Sequence, residues 1–331
     1  MNDKIQVGII GGAGYTGGEL LRILINHPFV NIAFVQSNSQ AGKPVWTTHT
    51  DLLGDTDLTF SGPADEDEEL DLDVIFLCSG HGASKTFMTE HEISDDVTVI
   101  DLSADFRDES DDFVYGLPEL NRDRIAEATR VANPGCFATA IQLALLPLAK
   151  AGLLNHDVHV SAITGSTGAG QALVPTTGFT WRNNNVSIYK AFTHQHLAEI
   201  RQSLTQLDRI HGGPDFTGAI NFVPYRGDFT RGIMANVYTP YGGTLDEAKT
   251  LYSSYYAEHP FTHLSDTPID LKQVVNTNKC LLHLELHNGQ LLITSIIDNL
   301  TKGASGQAVQ NMNLVFGMPE NLGLRLKSVA F

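Results

Sequence analysis

The sequence predicts a two-domain α/β chain: a parallel-sheet domain first, then an α+β domain whose sheet is mainly antiparallel. Three observations carry this reading. Short apolar runs alternate with helical stretches up to residue 147, a glycine-rich loop joins the first strand to the first helix, and partly alternating strands take over afterwards. A chain of 331 residues exceeds one ordinary domain, and 42% hydrophobic residues are enough for two cores.

The elements follow in order. "KIQVGII" (4–10) is an apolar run ending in glycines, as a buried parallel strand would be. "YTGGELLRILINHP" then places Leu20, Leu21, Leu24 and Ile25 on one helical face and stops at Pro28. "VNIAFVQS" (30–37), "DVIFLCS" (73–79) and "VTVIDLS" (97–103) are the next strands. The second half offers "HVSAITGSTGAG" (159–170), "FTGAINFVP" (216–224), "GIMANVYTP" (232–240) and "CLLHLELHNGQLLITSIID" (280–298), the last with a hairpin turn at "NGQ". "TLDEAKTLYSSYYAEH" (244–259) is a helix opened by Thr244 as cap, and "GASGQAVQNMNLVFG" (303–317) returns to helix.

Charge and cysteine usage narrow the function classes. The formal charge is −17, with 38 acidic against 21 basic residues, and such a surface repels phosphate backbones and anionic headgroups. No nucleic-acid or membrane partner is therefore expected, and "ADEDEELDLD" (64–73) reads as a solvated loop. The first residues carry no secretory signal, and no apolar run is long enough to span a bilayer. Cys78, Cys136 and Cys280 suit neither a disulfide framework nor a zinc site. A cytoplasmic protein with reduced thiols is expected, and no metal.

"GGAGYTG" sets Gly11, Gly14 and Gly17 in a G-x-x-G-x-x-G spacing around Tyr15 and Thr16. Glycines there permit a tight turn and close approach of a pyrophosphate to a helix N-terminus. The second strand ends "FVQSNSQAGK" without the acid that would hold a ribose 2′-hydroxyl. Ser37, Asn38 and Ser39, with Lys43, suit a 2′-phosphate instead, which points to NADP(H).

Cys136 follows a Pro-Gly corner in "VANPGCFATAIQLALLP", at the head of an apolar helical run. A thiolate is the nucleophile, and a helix N-terminus stabilises it. Cys78 and Cys280, inside strands, read as packing residues. The histidines of "AFTHQHLAEI", His194 and His196, are candidates for acid–base work near neutral pH.

"VANPGCFATAIQLALLP" resembles the active-site signature of the N-acetyl-γ-glutamyl-phosphate reductases, an arginine-pathway family. "GIIGGAGYTGGELLRIL", "SNSQAGKPV", "DLSADFR", "YGLPELNR", "TGSTGAGQ", "HQHLAEI" and "TKGASGQAVQNMN" follow in the family's order, so the resemblance spans nearly the whole chain. Gly135 before the cysteine separates it from the aspartate-semialdehyde dehydrogenases, which typically have asparagine there.

The resemblance implies a Rossmann-type domain formed by 1–147 and 303–331. It further implies an α+β domain like that of glyceraldehyde-3-phosphate dehydrogenase over 148–302. It implies NADPH as reductant, an acyl-phosphate substrate, a Cys136 thioester, and a dimer or tetramer. By motif, His194 becomes the catalytic histidine with Glu199 in support. Ser79, Gly80, Ser166, Gly168, Gly303 and Gln307 are placed at the cofactor. Arg107 and Arg231 are candidates for holding substrate carboxylate or phosphate. Gln171 stands where the family pattern has arginine; it is expected beside the substrate as catalytic support, and leaves room for an acyl group other than acetyl, such as succinyl. The rivals are an aspartate-semialdehyde dehydrogenase and a regulator that kept the fold but lost catalysis.

Overall fold

The computed structural model describes residues 4–63, 71–210 and 216–330. The acidic stretch 64–70 lies outside them. The chain divides into two compact units, one of residues 1–134 with 304–325, the other of residues 135–303 with 326–331.

In the first unit the strands are β1 (Ile5–Ile10), β2 (Val30–Gln36), β3 (Phe60–Ser61), β4 (Val74–Leu77), β5 (Thr98–Asp101), β6 (Val114–Tyr115) and β7 (Arg130–Ala132). They form one sheet in the order β3-β2-β1-β4-β5-β7-β6, and every pairing is parallel. The helices are α1 (Tyr15–Leu24), α2 (Ala83–Glu90) and α3 (Pro118–Ala126). Leu20, Leu21 and Leu24 of α1 are buried as expected, and Ile23 joins them while Ile25 is only half-buried. Sheet order reverses between β1 and β4, the crevice where ligands bind in open parallel sheets.

The second unit opens on α4 (Cys136–Lys150), followed by β8 (Val158–Thr164), α5 (Phe179–Arg182), β9 (Ser187–Ile188) and α6 (His196–Ile210). Then come β10 (Ile220–Arg226), β11 (Ile233–Pro240), α7 (Leu245–Tyr256), β12 (Thr262–Ser265), β13 (Cys280–His287) and β14 (Gln290–Ile297). Its sheet runs β12-β13-β14-β11-β8-β10-β9. Only the β12–β13 and β8–β10 pairings are parallel, so the sheet is mixed and mainly antiparallel. Asn288 and Gly289 both take positive φ, 50° and 75°, which is the two-residue turn that matches strand twist. Thr244 caps α7 in a reciprocal capping box with Glu247.

The helix α4 groups with this second unit, not with the sheet that precedes it, so the division falls at 134/135 where the sequence suggested 147/148. The reason is composition. Phe137 through Ala149 are all buried, and a helix apolar on every face needs cover on every side. It finds that cover in α6, α7, β11 and β14. Pro147 inside α4 has no N–H to give the Leu143 carbonyl. The Tyr256 hydroxyl donates to that carbonyl instead, and the Tyr252 hydroxyl to the Ala144 carbonyl.

After β14 a π-helical turn (Thr301–Ser305) leads into α8 (Gly306–Val315), the helical return predicted for 303–317. No helix among the described residues is long and apolar enough to cross a membrane.

Candidate active site

The glycine loop sits at the switch point of the first sheet. Gly11 has φ +77°, and a Cβ there would lie 2.8 Å from the Ser79 Oγ and 2.9 Å from the Ser79 nitrogen. Only glycine lets the β1 and β4 loops meet this closely. A Cβ on Gly17 would lie 2.5–2.7 Å from the Gly12 backbone, which requires glycine for the approach of α1 to its loop. Gly14, at the N-cap of α1, is different: the nearest atom to its would-be Cβ is the Gly11 oxygen at 3.8 Å. Open space over a helix N-terminus with no side-chain cap is what a pyrophosphate requires.

Around this loop the structure gathers most of the expected nucleotide contacts of the first unit. Tyr15 and Thr16 open α1, Ser79 and Gly80 follow β4, and Ser37, Asn38 and Ser39 follow β2. The Ser305 hydroxyl donates to the Thr16 carbonyl at 2.8 Å, tying the start of α8 to the loop; Gln307 is fully buried in that helix. One residue escaped the sequence reading. Gln36, the last of β2, accepts from the Gly11 N–H at 3.3 Å and donates to Asn38 Oδ1 at 2.7 Å. It stands at the end of the second strand, where an acid would favour NAD.

In the second unit Cys136 is the first residue of α4, and Gly135 is its N-cap with extended backbone and no side chain to cap it. The first turn carries no acid, so the partial positive charge of a fifteen-residue helix faces the half-buried thiol. Cys78 contrasts with it: burial and the charge of Asp101 push its thiol up, away from reactivity.

Two contacts fix the cysteine. The Gly135 N–H donates to Glu199 Oε2 at 3.0 Å. A Cβ on Gly303 would lie 2.8 Å from the Cys136 Cβ. Glu199 belongs to α6, and the Gln142 side chain locks that helix to α4 by donating to the Glu199 carbonyl at 3.0 Å and to Ser203 Oγ at 2.9 Å. Gly303 is held in turn by its own N–H, which donates to the Asp298 carbonyl at 2.9 Å.

His194 precedes α6 and His196 begins it; their rings are 4.5 Å apart. The His196 N–H donates to His194 Nδ1 at 3.3 Å, so the neutral ring carries its proton on Nε2. Phe222, Phe137 and Tyr189 ring it at 5.4, 5.6 and 5.8 Å. Burial, then the charges of Lys190 and Arg226, lower its pKa to about 4. Glu199 Oε1 lies 3.7 Å from His196 Nε2, which makes His196 the ring that faces the carboxylate. Tyr189 closes the group: burial first, partly offset by Arg226, and the charge of Cys136 push its phenol up to about 12.

The remaining expected residues are placed as follows. Ser166 and Gly168 lie in a short turn after β8, where the Ser166 N–H donates to the Phe229 carbonyl at 2.8 Å. Gln171 is exposed in the loop beyond it. Arg231 is committed to Asp298, with Nε and Nη2 at 2.9 and 3.0 Å from its two carboxylate oxygens and a further bond to Thr301 at 3.0 Å. Arg107, buried in the first unit, donates to the carbonyls of Asn133 and Leu102 at 2.9 and 3.2 Å. Both guanidinium groups are thus occupied within the protein. No group of three His, Cys, Asp or Glu among the described residues could hold a metal ion.

Comparison with known proteins places this arrangement. Residues 6–128 match the semialdehyde dehydrogenase NAD-binding domain, and residues 136–299 match the semialdehyde dehydrogenase dimerisation domain. A protein of Christiangramia forsetii named N-acetyl-γ-glutamyl-phosphate reductase is 57% identical over 99% of this chain and 100% of its own length. One of Bacteroides fragilis with the same name is 56% identical over the same shares. This chain belongs to the N-acetyl-γ-glutamyl-phosphate reductase family. The fold of these reductases extends further: aspartate semialdehyde dehydrogenase II of Vibrio cholerae, complexed with ASA, superposes with a TM-score of 0.71 over 96% of this chain and 99% of its own at 18% identity. Aspartate semialdehyde dehydrogenase of Candida albicans, with NADP, gives 0.70 over 97% and 100% at 12% identity.

Proposed function

We infer that the chain catalyses the NADPH-dependent reductive dephosphorylation of N-acetyl-γ-glutamyl phosphate to N-acetylglutamate γ-semialdehyde, a step of arginine biosynthesis. The observation that carries this reading is Cys136 at the uncapped N-terminus of α4, in a chain 57% identical to a relative of that name.

The Cys136 thiolate attacks the acyl-phosphate carbonyl. As the C–S bond forms the C–O bond to phosphate breaks, the departing phosphate takes up a proton, and a thioester remains on Cys136. When bound, NADPH supplies the hydride that reduces the thioester carbonyl. The C–S bond of the thiohemiacetal then breaks, releasing the aldehyde and restoring the thiolate. His194, neutral at pH 7 with its proton on Nε2, donates that hydrogen bond to the oxygen on which negative charge develops in each tetrahedral species. Glu199 positions the nucleophile through the Gly135 N–H.

The cofactor is assigned to the first unit: pyrophosphate over Gly14 and the N-terminus of α1, and the 2′-phosphate at Ser37, Asn38 and Ser39. The absence of an acid at the end of β2 supports NADP(H) over NAD(H). Ser166, Gly168 and Gly303 are assigned to the cofactor and Gln171 to the acyl group of the substrate. A reduced thiol nucleophile fits a cytoplasmic enzyme, and none of the three cysteines is in a disulfide. A homo-oligomer, dimer or tetramer, is supported by the apolar side chains that the second unit leaves exposed, Leu173 (96%), Phe179 (80%) and Phe192 (59%) among them.

The test is phosphate-dependent NADP reduction with N-acetylglutamate γ-semialdehyde, comparing the native enzyme with Cys136→Ser. Equal activity of the two proteins overturns the thioester mechanism. The alternative, aspartate-semialdehyde dehydrogenase, rests on fold likeness alone, and turnover of aspartate semialdehyde in its place would favour it.

A further inference from the structure

Arg226 ends β10, paired with Thr164 of β8 and Ser187 of β9. Its guanidinium carbon lies 4.5 Å from the centroid of the Tyr189 ring, and its charge reaches His194. The other arginines of the same unit with described side chains donate to acceptors of the protein, although the Nε of Arg182, like that of Arg226, is buried without one. Arg231 pairs with Asp298, and Arg182 and Arg201 donate to backbone carbonyls. Arg226 does neither: among the described residues no carboxylate lies within ion-pair distance of it, and its Nε is buried without an acceptor. Its partner is the neutral phenol of Tyr189.

A half-buried cation without a counter-ion is costly, because burial removes water and nothing replaces it. That cost is recovered when an anion arrives. An arginine fork takes a carboxylate through two parallel N–H···O bonds. The group stands on the wall that Tyr189 and His194 form beside Cys136. A single negative charge neutralises a single guanidinium, whereas a phosphate dianion would leave net negative charge next to a thiolate. We propose that Arg226 is the anchor for a carboxylate of the N-acylglutamyl substrate, a positioning and specificity residue in the place first expected of Arg107 and Arg231. This rests on the acyl-phosphate reductase reading above.

The test compares native enzyme, Arg226→Leu and Arg226→Lys in the phosphate-dependent direction, with melting temperature as the control for folding. The proposal expects KM for N-acetylglutamate γ-semialdehyde to rise at least tenfold in Arg226→Leu, with partial recovery in Arg226→Lys and KM for phosphate within twofold of native. The α-carboxamide analogue should erase the difference between native and variant if the α-carboxylate is the one held. A loss confined to the N-succinyl substrate would place the held carboxylate on the acyl tail. Protection of Cys136 from iodoacetamide by N-acetylglutamate or N-succinylglutamate supplies a readout without turnover, and Arg226→Leu should lose it for the ligand whose carboxylate is held. A rise in phosphate KM alone, or unchanged KM values and unchanged protection, overturns the proposal. No turnover of either semialdehyde by the native enzyme, with protection still dependent on Arg226, would count against the reaction assigned here and not against the anchor.

Discussion

Gly303 and Cys136 touch so closely that a single methyl group on Gly303 has no room: its carbon would stand 2.8 Å from the Cys136 Cβ and 3.2 Å from the Cα. Backbone, not a flexible side-chain end, bounds one side of that space. The Arg231–Asp298 pair holds the other, since Asp298 accepts from the Leu300 and Thr301 N–H groups at 2.8 and 3.0 Å and from Gly303 through its carbonyl.

Gly303→Ala should therefore displace the nucleophile. Overpacking of this kind costs about 1–3 kcal/mol, and the alkylation rate of Cys136 should change along with kcat. A variant with native alkylation rate and native melting temperature would show that the turn yields without moving the thiol.

His194 links acidity to stability with a definite sign. Its folded pKa is lowered from 6.5 to about 4 by burial, then by Lys190 and Arg226. Between those values the unfolded chain binds the proton and the folded chain does not, so stability present above 6.5 is lost as pH falls towards 4. His194→Gln, which keeps an N–H donor but cannot titrate, should flatten melting temperature against pH across that window. It should also retain more activity than His194→Ala. An unchanged slope would assign the acid sensitivity to another group.

Tyr256 answers for the proline in α4. Tyr256→Phe leaves the Leu143 carbonyl buried without its donor, a loss of about 1–3 kcal/mol. Urea unfolding should report it as a lower midpoint with the same slope. No shift would mean that water or a neighbouring hydroxyl replaces the phenol.

The glycine loop separates fold from cofactor. Gly11→Ala forces positive φ on a residue with a Cβ and presses on the Ser79 backbone, so stability and NADPH affinity should fall together. Gly14→Ala meets nothing nearer than 3.8 Å, so the melting temperature should hold. NADPH affinity should nevertheless weaken about tenfold, about 1.4 kcal/mol, by calorimetry. Equal affinity in Gly14→Ala would move the pyrophosphate away from this position.

Local signals carried the reading of the sequence a long way. The alternation of apolar strands and helices, the Asn288-Gly289 turn, the Thr244 cap and Cys136 at a helix start are all set by residues within a few positions of each other. They are properties of the chain before it folds, and the family resemblance rests on the same short motifs. Arginine partners are not of that kind. Arg231 meets Asp298 across 67 positions, and nothing in "FTRG" announces that its guanidinium is taken. Arg226 closes the strand run "AINFVPYR" with nothing local to mark it, and its lack of a carboxylate depends on how β8, β9 and β10 lie together. The same holds for the proton on His194 and for the contact of Gly303 with Cys136. By itself the sequence determined the two sheets, the glycine loop between β1 and α1 and the place of Cys136 at a helix start, because each is written in local backbone preference. Which cations stay open for a ligand, and how tightly the thiol is held, was decided only by tertiary structure, because burial and long-range pairing fix the charge that each group can carry.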